Sequence, residues 1–295
     1  MHEQTSNPTI SVVVLALAGG DQLDACLRGL AAQDLPGQAQ IVLVGRDATI
    51  ARTLEPSIDF VLAPSDADIP LMRVLGSARA KGEYVVFTED RCVASSGWLE
   101  QLLREHQRGN DIVGGPIEPG DIRGRTGWAV YLCEYAALML PVNKRTLPGN
   151  NVSIRRSMLE RVDAEFRASA WEADIVARLS QEGARVSVSQ EAVLYKTITM
   201  TLGTALAQRY HFSRTLAAAR AKRMPSSERL ARTLAAPALP VVILSRIATS
   251  VFEKKRYRGR FLSSLPQILL LMIAYTAGEL AGYLAGSGAS RSRVT

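Results

Sequence analysis

The feature that narrows the fold most is an alternation over residues 10–106 between short apolar runs and segments with helical spacing. Ile10–Leu17 (ISVVVLAL) is continuous, apolar and rich in β-branched residues, the composition of a strand buried on both faces. After Gly19 and Gly20, Leu23, Leu27 and Leu30 recur at helical spacing, and Ile41–Val44 (IVLV) then forms a second apolar run that completes a βαβ unit. Phe60–Ala63, a helical segment over Leu71–Ala80, the run Tyr84–Phe87 and a helix near Trp98–His106 continue the pattern. Such alternation predicts an α/β fold with a doubly wound, mostly parallel sheet flanked by helices. Ligands of these sheets bind outside the carboxyl ends of the strands, so polar residues that follow an apolar run are the first candidates for chemistry.

Beyond Asp111 the sequence reads as a strand (DIVGG), a loop rich in Gly and Pro, and an aromatic helix over Trp128–Leu140. The turn Leu147-Pro148-Gly149-Asn150-Asn151 follows, then a strand, a helix from Ser157, a helix over Trp171–Glu182, and two short strands (RVSV, AVLY) that end at Lys196. A chain of 295 residues with 47% hydrophobic content is long enough for one sizeable core plus an appendage. Cys26, Cys92 and Cys133 form no CxxC pair, which argues against a disulfide framework or a structural zinc site and fits a reducing compartment. The segment MHEQTSNPTI has neither a basic stretch nor a long apolar one, so a secretory signal is not expected.

The net charge of +7 is unevenly spread: residues 1–208 hold 20 Lys and Arg against 25 Asp and Glu, whereas residues 209–295 hold 15 against 3. The basic residues of the tail flank two apolar runs, Leu234–Phe252 and Leu265–Leu284, each near the roughly 20 residues that cross a bilayer. Cations beside long apolar runs suit anionic lipid headgroups and not nucleic acid. A simple two-span hairpin would put the connector Glu253–Arg260 on the side opposite the preceding domain, against the positive-inside tendency, so an interfacial or re-entrant first segment is expected. A soluble helical subdomain is the alternative, because prolines and ionisable residues interrupt both runs.

The stretch Arg73–Cys92, with its Ala80-Lys81-Gly82-Glu83 helix end, its YVVF strand and its acidic cluster Glu89-Asp90, resembles the central signature of family 2 glycosyltransferases. Gly97-Trp98-Leu99, the Gln33 helix end, the Gly149-Asn150-Asn151 turn before Arg155-Arg156, and Trp171-Glu172-Ala173-Asp174-Ile175 with Arg178 extend the resemblance over most of residues 10–215. It implies a GT-A catalytic domain over residues 1–222 and a basic, apolar, membrane-associated helical tail over 223–295. It also implies an inverting enzyme that moves a sugar from a nucleotide-sugar donor to an acceptor hydroxyl, on a lipid-linked glycan or envelope-polysaccharide precursor, at the cytoplasmic face of the cell membrane. Glu172 falls where the family's general base sits, with Asp174 second. Glu89, Asp90, Arg91, Arg73, Asp47 and Lys196 fall on the donor side, and Asn150, Asn151 and Trp171 on the acceptor side.

The sequence departs from the family pattern at the metal. The last acid of the cluster is replaced by Arg91, and a histidine expected after the last strand by Lys196, which leaves Asp90 as a weak candidate ligand. A guanidinium and an ammonium can neutralise a leaving diphosphate, so dependence on Mg²⁺ or Mn²⁺ is expected to be weak or absent. Arg91 in an ion pair with Glu89 or Asp90 is the competing reading. The residues after Val44, Gly45-Arg46-Asp47-Ala48, leave the base of the nucleotide undetermined, and Asp47 fits a turn residue equally well. His211, alone on an amphipathic helix, reads as structural. A catalytically silent relative acting as a membrane-attached binding scaffold is the alternative function. A nicotinamide-binding enzyme is disfavoured, because Gly19-Gly20 does not make GxGxxG.

Overall fold

The computed structural model describes residues 8–35, 39–142, 147–162, 167, 170–222 and 224–293. Two compact units divide the chain, one of residues 1–118 and 138–197, the other of residues 119–137 and 198–295.

The first unit is built on a seven-stranded sheet of order β3-β2-β1-β4-β8-β6-β9. Its strands are β1 Ile10–Ala16, β2 Ala39–Gly45, β3 Ile58–Leu62, β4 Tyr84–Glu89, β6 Ile112–Gly114, β8 Val152–Arg155 and β9 Val186–Val188. Ile10, Val12, Val13, Val14 and Leu15 are fully buried, as expected of a central strand covered on both faces. β1 pairs in parallel with β2 and β4, whereas β8 runs antiparallel to both β4 and β6. The sheet is therefore parallel-dominated, with one reversed strand. Helices α1 Gly20–Ala31, α2 Ile69–Arg79, α3 Trp98–Gln107, α5 Arg156–Arg161 and α6 Glu172–Gln181 accompany it. α2 lies so close to the sheet that a Cβ on Gly76 would run into Val13 and Val44. A smaller sheet has the order β5-β10-β7, with β5 Cys92–Ala94, β7 Ile117–Ile122 and β10 Leu194–Ile198.

The second unit holds the helices α4 Gly124–Tyr135, α7 Leu202–Ala221, α8 Ser226–Ala235, α9 Leu239–Glu253 and α10 Arg258–Ala285. The first apolar run of the tail is not one helix. α8 stops at Ala235, Ala236–Ala238 form a 3-10 turn around Pro237, and α9 restarts with Pro240 in its first turn, where a missing N–H is harmless. The second run is longer than its apolar composition indicates, starting at Arg258 instead of Leu265. The aromatic helix α4 likewise starts earlier and ends earlier than the residues expected from sequence. By length and composition, the stretches 226–253 and 258–285 are each sufficient to cross a membrane.

Candidate active site

Antiparallel pairing of β8 with β4 assembles the site. Phe87 lies opposite Val152, so continuing that register by two residues puts Asn150 opposite Glu89 at the carboxyl end of a central strand. Asn150 Nδ2 donates to Glu89 Oε1 at 3.1 Å and lies 3.6 Å from Cys92 Sγ. The neighbouring Asn151 is fully buried and has a framing role. Its Nδ2 donates to the carbonyls of Pro116 and Ala192, and its Oδ1 accepts from Trp98 Nε1 at 3.0 Å.

A second antiparallel pairing, Lys196 of β10 opposite Cys92 of β5, brings a cation to the same place. Lys196 Nζ forms an ion pair with Glu89 Oε1, and only 4% of Lys196 is exposed. Burial pulls the Lys196 ammonium down to about 7. Burial pushes the Cys26 thiol up to about 12 and raises Cys92 as well, so both thiols here are protonated packing groups.

Asp90 turns away from this pair. Its Oδ2 accepts from the backbone N–H groups of Ala18 and Gly19, both at 2.7 Å, and so fixes the loop between β1 and α1, where Gly19 and Gly20 have φ of +70° and +54°. Burial raises the Asp90 carboxyl, against the lowering effect of those amides and of Arg91. Its Oδ1 has no hydrogen-bond partner among the described residues. Arg91 is half-buried, and no ion pair to it is found among the described residues. The surface pairing with Glu89 or Asp90 that the sequence left open is thus not formed. Of these two cations, Lys196 is paired with a carboxylate, and Arg91 has no ion pair among the described residues.

Glu172 opens α6, and Arg73 comes from the second turn of α2, a helix capped by Asp68 accepting from Leu71 N. Arg73 Nη1 and Glu172 Oε1 form an ion pair that is 9% and 6% exposed by residue, and Arg73 Nη2 donates to Gly149 O at 3.3 Å. Glu172 Oε2 packs against Gly149 itself, where a Cβ could not be accommodated. A pocket walled by Phe87, Ile154 and Leu159 adjoins the pair. The Gly149-Asn150-Asn151 turn therefore touches Glu172 through its first residue and Glu89 through its second.

Two candidates stand apart from this cluster. Asp174 is exposed, and its carboxylate accepts from Trp171 N at 3.3 Å, which caps α6 and leaves Trp171 half-buried at the helix start. Asp47 is exposed and accepts from Thr49 N at 2.8 Å, capping the 3-10 turn Ala48–Thr53; that backbone bond lowers its carboxyl. His211 bonds Ser290 Oγ at 2.9 Å within the helical unit.

Among the described residues, the donor set for a divalent cation is not assembled. Glu89 is engaged by Lys196 and Asn150, Asp90 faces two amides, and among the described residues no group of three or more His, Cys, Asp or Glu could hold a metal ion.

No family model matches the chain, and no curated protein matches it. Among solved structures, the chain is similar to the mannosyltransferase PcManGT from Pyrobaculum calidifontis, in complex with GDP-Man and Mn²⁺, at 17% identity and a TM-score of 0.54. The similarity covers 94% of this chain and 88% of that one. The chain therefore has a glycosyltransferase fold.

Proposed function

We propose that this chain is a glycosyltransferase of the family 2 type, inverting, with a nucleotide-sugar donor and a glycan or lipid-linked acceptor, working at the cytoplasmic face of the cell membrane. One observation carries the reading: a single turn, Gly149-Asn150-Asn151, ties the carboxylate of Glu172 to the Glu89–Lys196 pair at the carboxyl end of β4. Sheets of this kind bind ligands at that end. PcManGT, described as a complex with GDP-Man, lends support from a distant structure of the same fold.

In this reading Glu172 takes the proton of the acceptor hydroxyl as the oxygen attacks the anomeric carbon. The bond from that carbon to the diphosphate oxygen breaks on the opposite face, and the diphosphate leaves with the electron pair. Arg73 orients Glu172 until the acceptor arrives, and Arg91 meets the developing diphosphate charge. Lys196 holds Glu89 in register with Asn150 and adds positive potential. Asn150, Asn151 and Trp171 shape the acceptor side, and Asp47 borders the nucleotide. On this reading Arg91 and Lys196 replace part of the role of Mg²⁺ or Mn²⁺, so turnover without a divalent ion is part of the proposal.

A silent scaffold is the second reading, favoured by one observation: Glu172 and Glu89 are both held by cations, with little exposure. The test is transfer or donor hydrolysis in detergent across UDP-, GDP- and dTDP-sugars, wild type against Glu172→Gln. Turnover in wild type that falls in the variant supports the enzyme, and an equal background in both supports the scaffold.

A further inference from the structure

The helical unit carries an apolar surface that its own helices leave bare. No side chain of α8 is buried, and α9 buries only Ile247 and Val251. α10 buries one face, including Phe261, Ile268, Leu271 and Met272, but its other face presents Leu262 and Ile273, each 60% exposed, with Leu269 and Leu270. No charged residue occurs from Phe261 to Gly278, so this bare face is apolar for about four turns. A water-facing helix surface is ordinarily polar.

The covered face of α10 is mostly apolar as well, but it also carries polar contacts. Near its middle, Tyr275 lies under Arg209, 5.7 Å from guanidinium carbon to ring centre, and Arg209 pairs with Glu134 of α4 at 3.3 Å. Farther on, Tyr283 Oη donates to the buried Glu279 at 3.1 Å. Gly278 and Gly282 let α10 approach the backbone of α7 at Tyr210 and Arg214. At the other end the connector folds back onto α4: Tyr257 packs on Trp128 and Tyr131, Arg260 lies over Trp128, and Lys254 Nζ donates to Ala137 O at 3.0 Å. A crossing helix would place the Arg209–Glu134 pair at bilayer depth and the connector beyond the far headgroups.

We infer that α8, α9 and α10 form a monotopic membrane-binding surface that lies in one leaflet of an anionic bilayer without crossing it. α10 packs one face against its own unit and leaves an apolar face bare, as a helix lying in the interface plane would. Residues 226–260 supply eight Lys and Arg against two Glu, and Arg246, Lys255 and Arg258 are exposed, which gives the charge complement to anionic headgroups. The inference takes up the membrane partner proposed above and does not depend on catalysis.

The test uses the full chain and vesicles of phosphatidylcholine with and without phosphatidylglycerol. Flotation with the anionic vesicles is expected, falling about tenfold or more in Arg246→Ala/Lys255→Ala and in Leu269→Gln/Ile273→Gln. Both pairs are at exposed positions, and circular dichroism with nucleotide-sugar thermal shifts checks that each variant is folded and separates loss of membrane binding from loss of the active site. Cysteines placed at Lys255 and Ser287, probed with an impermeant maleimide in spheroplasts and in inside-out vesicles, are expected to react in the same preparation. Reaction in opposite preparations, equal binding to neutral vesicles, or a lipid-free dimer that does not float overturns the inference.

Discussion

Gly149 and Glu172 are in direct contact: Oε2 of the Glu172 carboxylate fills the space that a Cβ on residue 149 would need. Gly149→Ala must therefore push the carboxylate out of place or shift the turn that also carries Asn150. The expected result is a roughly 10- to 100-fold fall in kcat/KM with secondary structure unchanged. Steady-state kinetics beside far-ultraviolet circular dichroism measure it; full activity would mean that the position of Glu172 is not critical.

The buried Arg73–Glu172 pair separates stability from catalysis. Arg73→Met leaves Glu172 without its counter-charge and is expected to destabilise by about 3–5 kcal/mol, whereas Arg73→Met/Glu172→Met recovers most of that loss. Turnover stays absent in the double variant, and Glu172→Gln alone lowers kcat by about 100-fold or more. Denaturant midpoints and transfer rates on the same preparations distinguish the two effects.

Arg91 and Lys196 are expected to respond differently, because Lys196 is paired with Glu89 and Arg91 has no ion pair among the described residues. Lys196→Met destabilises by about 3–5 kcal/mol by stranding Glu89. Arg91→Ala changes stability by less than about 1 kcal/mol but weakens nucleotide-sugar binding by about tenfold, since a charge-assisted contact to phosphate is removed. Calorimetric titration with the donor and thermal melts give both quantities.

Donor turnover is expected to persist, within about twofold, after exhaustive chelation, because the proposed mechanism neutralises the diphosphate with side-chain cations. Loss of all turnover on chelation, with recovery on adding Mg²⁺ or Mn²⁺, would contradict the proposed role of Arg91.

His106 gives the chain an acid limit. Its Nδ1–H donates to Asn110 O at 2.9 Å, so Nε2 accepts from Ser153 Oγ at 2.7 Å, and burial lowers its pKa to about 4. Between the unfolded value near 6.5 and that value, the unfolded chain binds the proton and the folded one does not. Stability attributable to His106 is thus present above pH ~6.5 and lost as pH falls toward ~4, by roughly 3 kcal/mol at full extent. The difference between wild type and His106→Gln in denaturant midpoint, followed from pH 7 to 4.5, is expected to shrink across that window.

The strands and the order of the elements were legible because apolar runs and helical spacing are local properties. Ile10–Ala16 reads as buried from its own composition, and Tyr84–Glu89 ends where the acidic cluster begins. The break in the first tail run was foreshadowed by Pro237 and Pro240, yet its place at Ala236–Ala238 was not. α10 begins at Arg258, and the cations of its first turn lie over the rings of Phe252 and Trp128, contacts invisible to hydropathy.

By itself the sequence determined which residue types arrive at the carboxyl end of β4, since strand and turn positions follow from neighbours in the chain. Tertiary structure alone decided their partners. Asp90 faces the Ala18 and Gly19 amides, Lys196 takes Glu89, and Arg73 takes Glu172 across 99 positions of sequence. The reason is geometric: side-chain direction at this site is set by the antiparallel registers of β8 on β4 and β10 on β5, and a register joins distant segments whose local composition does not encode it.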